Sequence, residues 1–344
     1  VLVLAESVLL LVLGGAIGLG IAAAIMPAVS AASGGMIQLP GVPGQTWGVG
    51  LALMAAIGVL VGLLPALRAQ ALLVELGQPL LATTLIAPGE TEPMNDAEAA
   101  DTVALALGMG YRLIDTAENY ENERGVGEGI RRAGVARDEV FVTTKFNRKW
   151  HSIDGARQAC EASLERLGLD YIDLFLVHWP NPDQGRYLEA FEGLVKMQEA
   201  CLLLAIGTSN FKPTHLQRLF DAGLCPQVNQ IHLDPWHARA DHVEVHEAHG
   251  IVTESWSPLG RANAMLADPA IVDVARHYGR TPAQIILRWH TQLGYVPVPK
   301  SSNPERLAQN LDVFDFELTA EELAAISALD RPDPEMLDSD VFGH

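Results

Sequence analysis

The chain has 344 residues and a formal net charge of −19, long enough for one α/β barrel of about 250 residues plus roughly 80 more. Residues 1–80 hold one basic residue, Arg68, and two acidic ones, Glu6 and Glu75, so nearly all the charge lies beyond them. Such an acidic body repels phosphate backbones, which argues against a nucleic-acid partner without excluding a local basic pocket. The three cysteines, Cys160, Cys201 and Cys225, are widely spaced, which points to no disulfide framework or structural zinc site and fits a reducing compartment.

Residues 1–29 are nearly all apolar or glycine, and 47–67 form a second run without a charge. Each is long enough to cross a ~30 Å hydrocarbon core as a helix, and neither shows a polar face. The 30–46 stretch between them is uncharged and rich in Gly and Pro, as a short exposed loop would be. Arg68 follows directly and puts both ends on the cytoplasmic side. The alternative is a pair of buried helices in a soluble domain.

From residue 95 strands and helices alternate. The expected order is helix 96–109, strand 112–115, helix 124–133, strand 140–145, helix 156–167, strand 172–178, helix 187–200 and strand 204–207. It continues with helix 213–222, strand 227–231, helix 240–248, strand 251–256, a helical insertion over 269–293, strand 295–299 and helix 304–311. Thr281-Pro282-Ala283-Gln284, Ser302-Asn303-Pro304-Glu305 and Thr319-Ala320-Glu321-Glu322 each fit a helix-opening capping box. Short strands alternating with helices favour a parallel sheet, and this many units favour closure into a (β/α)8 TIM barrel. Gly125-Val126-Gly127-Glu128-Gly129 follows a loop and lacks the dinucleotide-binding spacing, so it is read as glycine usage at a helix entry.

Polar or aromatic residues at the ends of seven successive strands form a ring: Asp115, Lys145, His178, Asn210, Gln230, Trp256 and Lys300. Singly, each is an ordinary loop or core residue; in register they point to a site at the C-terminal mouth of the barrel. His237, His242, His246 and His249 also lie close together. His246-Glu247-Ala248-His249 is one residue short of the zincin spacing, so no metal is expected there and the histidines are assigned to a solvated helix.

The runs Ile114-Asp115-Thr116-Ala117-Glu118-Asn119-Tyr120, Val142-Thr143-Thr144-Lys145 and Leu174-Phe175-Leu176-Val177-His178-Trp179 resemble the aldo-keto reductases, in particular the bacterial diketogluconate-reductase-like branch. The resemblance runs over about 95–344. It implies an NADPH-dependent reduction of aldehydes or ketones to alcohols in which Tyr120 is the general acid, tuned by the Lys145 ammonium, with Asp115 holding Lys145 and His178 orienting the substrate oxygen. A phenol of reference pKa ~10 needs such tuning to act near neutrality.

For the cofactor it implies Ser209, Asn210 and Gln230 on the carboxamide, Trp256 against the nicotinamide ring, and Ser257, Pro258 and Leu259 in the following loop. Lys300, Ser301, Ser302, Arg306, Gln309 and Asn310 would hold the adenosine end, where two cations at a helix N-terminus suit a 2′-phosphate. Trp179 and Glu92 would face the substrate pocket, together with the C-terminal segment 333–344.

Two departures stand out. Pro88-Gly89-Glu90-Thr91-Glu92-Pro93 replaces the family's glycine-rich first strand, leaving 84–87 as a poor candidate for it. Cys201-Leu202-Leu203-Leu204 occupies a turn that ordinarily carries Gly and basic residues, and adds apolar surface unless its leucines are buried.

Glu6-Ser7, Gly14-Gly15 and Gly62-Leu63-Leu64-Pro65-Ala66-Leu67-Arg68-Ala69 are similar to the closing helix pair of FtsX-like permease subunits of ABC exporters. The expected organisation is therefore a permease-like transmembrane segment over 1–75, a junction with an altered first strand over 76–94, and a reductase barrel over 95–344. The barrel would be cytoplasmic and tethered to inner-membrane lipid through 1–67, with a small carbonyl compound as its substrate and no protein partner. Two other outcomes stay open: a membrane-tethered NADPH-binding sensor with little turnover, and a fusion of a permease remnant to a non-functional reductase.

Overall fold

The computed structural model describes residues 82–84 (backbone only), 94–260, 264–333 and 336–343, all within the unit Gln78–His344. Eight strands, β1 (Ala82–Thr84), β2 (Leu113–Asp115), β3 (Phe141–Phe146), β4 (Ile172–Val177), β5 (Leu203–Ser209), β6 (Val228–His232), β7 (Val252–Trp256) and β8 (Val296–Val298), form one sheet in sequential order. Each pairs in parallel with the next, and β8 lies beside β1. The result is a nearly closed parallel barrel of the (β/α)8 kind.

Helices α1 (Asp96–Met109), α2 (Glu123–Ala133), α3 (Ile153–Leu167), α4 (Tyr187–Glu199), α5 (Pro213–Asp221) and α6 (Ala240–His249) connect successive strands. Between β7 and β8 run α7 (Pro269–Tyr278) and α8 (Pro282–Gln292), and α9 (Pro304–Leu311) and α10 (Ala320–Ser327) follow β8. Strands β3 and β4 are buried along their whole length, as expected of parallel strands covered on both faces. Val142, Phe175 and Val177 on the strands pack with Val126, Cys160 and Phe191 on the helices in the main core. A second core gathers around Trp289, Ile285 and Ile231.

Local chemistry explains most boundaries. The Thr281 and Thr319 capping boxes form as expected. The Ser302 box does not: the cap of α9 is Asn303, whose side chain accepts from Arg306 N, because an Asn immediately before Pro304 already holds the extended conformation a cap needs. Helix α3 starts at Ile153, three residues earlier than 156, because Ser152 caps Gly155 N. The insertion 269–293 is two helices, since Gly279 ends α7 in a left-handed conformation.

Gly125, Gly127 and Gly129 lie within α2 and are contact points between helices, which corrects their assignment to a helix entry. A Cβ on Gly125 would collide with the Asp96 carbonyl, on Gly127 with the Leu167 carbonyl, and on Gly129 with Val103. These glycines let α2 nest between α1 and the end of α3.

The first strand is 82–84 instead of 84–87. It registers Thr84 opposite Asp115, so backbone pairing supplies what the side-chain sequence argues for poorly. In the Cys201 turn, Leu203 is buried and Leu202 half-buried, so the expected apolar surface is mostly absent. Cys201, exposed, takes φ 60° in the position where glycine is ordinarily used. Among the described residues no helix is long and apolar enough to cross a membrane. The two apolar runs of the front end, Glu92 and the rest of the junction apart from 82–84 and Met94 lie outside the described residues.

Candidate active site

Parallel pairing brings Asp115, the last residue of β2, beside Thr143, and carries Lys145 to the same end of the barrel on β3. There the Lys145 ammonium donates to both Asp115 carboxylate oxygens, at 2.8 and 2.7 Å, and to the Thr116 carbonyl at 2.9 Å. All three donor hydrogens are used, and Lys145 and Asp115 are 0 and 2 % exposed, so the ammonium cannot wander. Its nitrogen lies 5.3 Å from the centre of the Tyr120 ring.

Tyr120 ends a short 3-10 turn, Glu118–Tyr120. The turn is anchored through Glu118, which accepts from Trp150 Nε1 at 2.9 and 3.0 Å and pairs with Lys149 at 2.6 Å. His178, directly after β4, meets the Tyr120 ring edge-on with centroids 6.2 Å apart. Trp179 follows and contacts Phe342 of the C-terminal segment at 4.8 Å.

The electrostatics correct one expectation. Burial pushes the Tyr120 phenol up, Lys145 pulls it down and Asp115 pushes it up, and the net position is above the ordinary value. Lys145 acts in the expected sense but is outweighed by desolvation, so the phenol is firmly protonated. Burial also pulls Lys145 down, but the charges of Asp115, Tyr120 and Glu254 together hold it above its ordinary value.

Glu254 was missed as a site residue, although it stands in the run that supplies Trp256. The Gln230 amide donates to Asp115 Oδ1 at 2.9 Å and to Glu254 Oε2 at 2.9 Å, linking a second buried carboxylate to the pair. Burial, with the Asp115 charge, pushes Glu254 up to about 7. A lone Glu beside an aromatic carries no local signal of this; only the β6–β7 register, Gln230 opposite Glu254, creates the link.

Ser209, Asn210 and Trp256 also converge. Asn210 Oδ1 accepts from Trp256 Nε1 at 2.8 Å, while its amide donates to the His178 carbonyl at 3.0 Å and to Ser209 Oγ at 3.1 Å. The indole plane is thereby fixed, and Asn210 takes the left-handed φ of 64° that asparagine tolerates. Ser257 and Leu259 are half-buried and Pro258 buried in the loop that follows.

Of the second group, Lys300, Ser301 and Ser302 precede α9, Arg306 lies in its first turn and Gln309 and Asn310 in its last, just past the strand whose Val298 registers with Trp256. Lys300, Ser302 and Arg306 are exposed, whereas Ser301 and Asn310 are buried. Among the described residues neither Lys300 nor Arg306 is in an ion pair, which leaves two cations at a helix N-terminus without a protein anion.

The histidines 237, 242, 246 and 249 do not form a solvated helix face. His242 and His246 are buried on the inner side of α6, and His249 alone is exposed. His246 lies between Asn229 Nδ2 and Thr253 Oγ1 at 2.9 and 2.8 Å, and burial pushes it down to about 3. His237 precedes the helix and turns towards β6. The i, i+4 spacing of His242 and His246 fits a solvated face and the face a barrel helix buries equally well, and packing against the barrel decides for the second.

A further feature, invisible locally, is the anchoring of the C-terminal segment. Lys212 pairs with Asp338 and Asp340 at 2.5 and 2.6 Å, and His215 with Asp340 at 2.9 Å. More than a hundred residues separate these partners, so no local pattern announces them.

Residues 84–331 match the Aldo/keto reductase family. The chain is 49 % identical over 248 residues to an aldo-keto reductase of Mycolicibacterium vanbaalenii, covering 70 % of this chain and 88 % of that one. It is 46 % identical over 235 residues to 2,5-diketo-D-gluconic acid reductase B of a Corynebacterium species, covering 68 and 85 %. A solved structure of a Gox0644 variant in complex with NADPH superposes with a TM-score of 0.70 at 41 % identity, covering 76 % of this chain and 92 % of that one. For Bombyx mori aldo-keto reductase in complex with NADP the values are 0.68, 36 %, 74 % and 89 %. The chain belongs to the aldo/keto reductase family.

Proposed function

We propose that this protein reduces small aldehydes or ketones to alcohols with NADPH, Tyr120 giving the proton. The observation that carries this is the buried Asp115–Lys145 pair set against the ring of Tyr120, with His178 at its edge. NADPH supplies the hydride. Trp256, its plane held by Asn210, offers a flat face for the nicotinamide. Ser209, Asn210 and Gln230 reach the carboxamide; both amide hydrogens of Gln230 serve carboxylates, so its oxygen is the atom left to accept. Ser257, Pro258 and Leu259 border the path to the adenosine end, where Lys300, Ser301, Ser302 and Arg306 receive the 2′-phosphate and Gln309 and Asn310 the base. Two relatives of known structure hold NADPH or NADP, which supports this assignment.

The phenol enters the reaction protonated, as a donor must. As the substrate oxygen gains negative charge, the proton leaves Tyr120 Oη and the Lys145 charge stabilises the phenolate left behind. His178 hydrogen-bonds the same oxygen and holds the carbonyl between Tyr120 and the nicotinamide face. Trp179, with Phe342 against it, borders the substrate, and Glu92 is assigned to the same pocket from its place in the sequence.

The test is NADPH oxidation with a carbonyl panel. Tyr120→Phe is expected to lower kcat by at least about 10²-fold while NADPH binding stays within a few-fold of wild type. Equal loss of both rejects the role. Tight NADPH binding without turnover across the panel selects the sensor reading. Lys300→Met with Arg306→Met is expected to weaken NADPH far more than NADH.

For residues 1–67 we propose a membrane hairpin that holds the barrel at the cytoplasmic face. Two apolar runs support it, 1–29 with Glu6 as its one charge and the uncharged 47–67 followed by Arg68. Full-length chain that leaves membranes on carbonate extraction, as the fragment 78–344 should, rejects it.

A further inference from the structure

His232 ends β6, and Asp234 and His237 follow in the loop before α6. The loop is closed on itself by backbone bonds between Asp234 and His237 at 2.8 and 3.3 Å. His232 Nε2 lies 3.2 Å from Asp234 Oδ2, and His237 Nδ1 lies 2.9 Å from Asp234 Oδ1. One donor atom from each of the three falls within 4.8 Å of the other two.

Two imidazoles and one carboxylate are a ligand set that suits zinc. With bonds of about 2.0–2.1 Å, ligand atoms around tetrahedral zinc stand about 3.3 Å apart. Measured to the one oxygen Asp234 Oδ2, the His232 Nε2 and His237 Nδ1 spacings are 3.2 and 3.0 Å, close to that edge, while Asp234 Oδ1 accepts from Trp236 N at 2.8 Å; the two imidazole nitrogens stand within 4.8 Å of each other. A second observation points the same way. His237 Nε2 lies 3.1 Å from Asp333 Oδ2, and an outer carboxylate on one ring nitrogen sets the tautomer that turns the lone pair of the other towards a metal.

Access and charge agree with this. The groove that borders His237, Asp330 and Asp333 opens to solvent, so a cation can enter. Two cations also line this groove: Arg239 directs its guanidinium to His242 at 2.6 Å and to Met336 sulfur at 3.3 Å, and Arg331 lies over the Trp236 ring at 3.2 Å. The chain as a whole carries −19.

We infer that His232, Asp234 and His237 bind a divalent cation of the zinc type, with Asp333 as the outer carboxylate. The site has a structural route to the reductase centre. The His232 ring stacks on the Trp256 indole with centroids 4.4 Å apart and planes 14° from parallel, so a metal on His232 braces the indole that faces the nicotinamide.

The test uses the full-length chain, stripped with a chelator and titrated with Co²⁺, then with competing Zn²⁺. One saturable equivalent is expected, with the ligand-field bands of a nitrogen and oxygen site. His237→Gln and His232→Gln should each weaken Zn²⁺ binding at least tenfold, whereas His249→Gln, on the exposed face of α6, should bind as wild type. Absence of saturable binding overturns the proposal. So does a thiolate charge-transfer band, which would report capture by the exposed Cys201 or Cys225, or wild-type affinity in both histidine variants. If one variant fails to fold, the other carries the comparison. Zn²⁺ should also shift the Kd for NADPH severalfold; this step rests on the cofactor assignment above, and no shift with intact Zn²⁺ binding rejects the coupling while the cation site stands.

Discussion

Lys145 and Asp115 are joined by two hydrogen bonds of 2.8 and 2.7 Å in a place that solvent does not reach. The remaining lysine proton goes to the Thr116 carbonyl, so the ammonium has one position. Removing either partner strands a buried charge. Lys145→Met is therefore expected to cost about 3–5 kcal/mol of stability. Adding Asp115→Asn to it should restore much of that stability, but not turnover, since the charge that stabilises the phenolate is gone. Urea unfolding of both variants, read beside NADPH oxidation, checks this; additive losses in stability would mean that the pair is not coupled.

Glu254 makes stability depend on pH with a definite sign. Its carboxyl sits at about 7 in the folded protein against an ordinary 4.5. Below 4.5 both folded and unfolded chains hold the proton, and the group contributes no difference. Between 4.5 and 7 the unfolded chain ionises first, so the folded state loses about 3 kcal/mol. Glu254→Gln should thus raise the urea midpoint at pH 8 and leave it nearly unchanged at pH 4.5. A gain of equal size at both values would assign the effect to packing instead of ionisation.

Gly127 meets the Leu167 carbonyl with no room for a methyl group. Because the obstacle is backbone at the end of α3, it cannot rotate away. Gly127→Ala should cost about 3 kcal/mol despite the higher helix propensity of alanine. Gly134, whose surroundings are open, is no control because its φ is 66°. Gly108→Ala is the better one: it lies in α1 with nothing within 4 Å, so the melting temperature should hold or rise.

Cys201 holds φ 60° at an exposed turn. For a residue with a Cβ this region costs about 1–2 kcal/mol, offset in part by the greater freedom glycine gives the unfolded chain. Cys201→Gly should stabilise by about 0.5–1 kcal/mol in urea melts, with kinetic constants unchanged. Destabilisation would show that the thiol makes a contact worth more than the backbone strain.

Much of the architecture was open to reading because it depends on local chemistry. The Thr281 and Thr319 caps, the alternation of apolar strands with helices, and the strand-end ring of Asp115, Lys145, His178, Asn210, Gln230 and Trp256 are all set within a few residues. The features that differ from expectation depend on packing. Glycine spacing in α2 looks the same whether it opens a helix or lets three helices nest. The histidines of α6 show a stripe whose inward or outward direction is set by the neighbouring strands.

By itself the sequence determined the period-two and period-3.6 segments, their order, and the residue types delivered to the strand ends, because these follow from steric preference and hydrophobic pattern along the chain. The tertiary structure alone decided that Glu254 joins Asp115 through Gln230, that His237 faces Asp234 and His232, and that Lys212 holds Asp338 and Asp340. Each of these depends on strand register or chain return, which brings together groups far apart in sequence. Burial then shifts their charge: the raised Glu254 follows from desolvation and not from residue identity, and burial keeps Tyr120 protonated against the pull of Lys145.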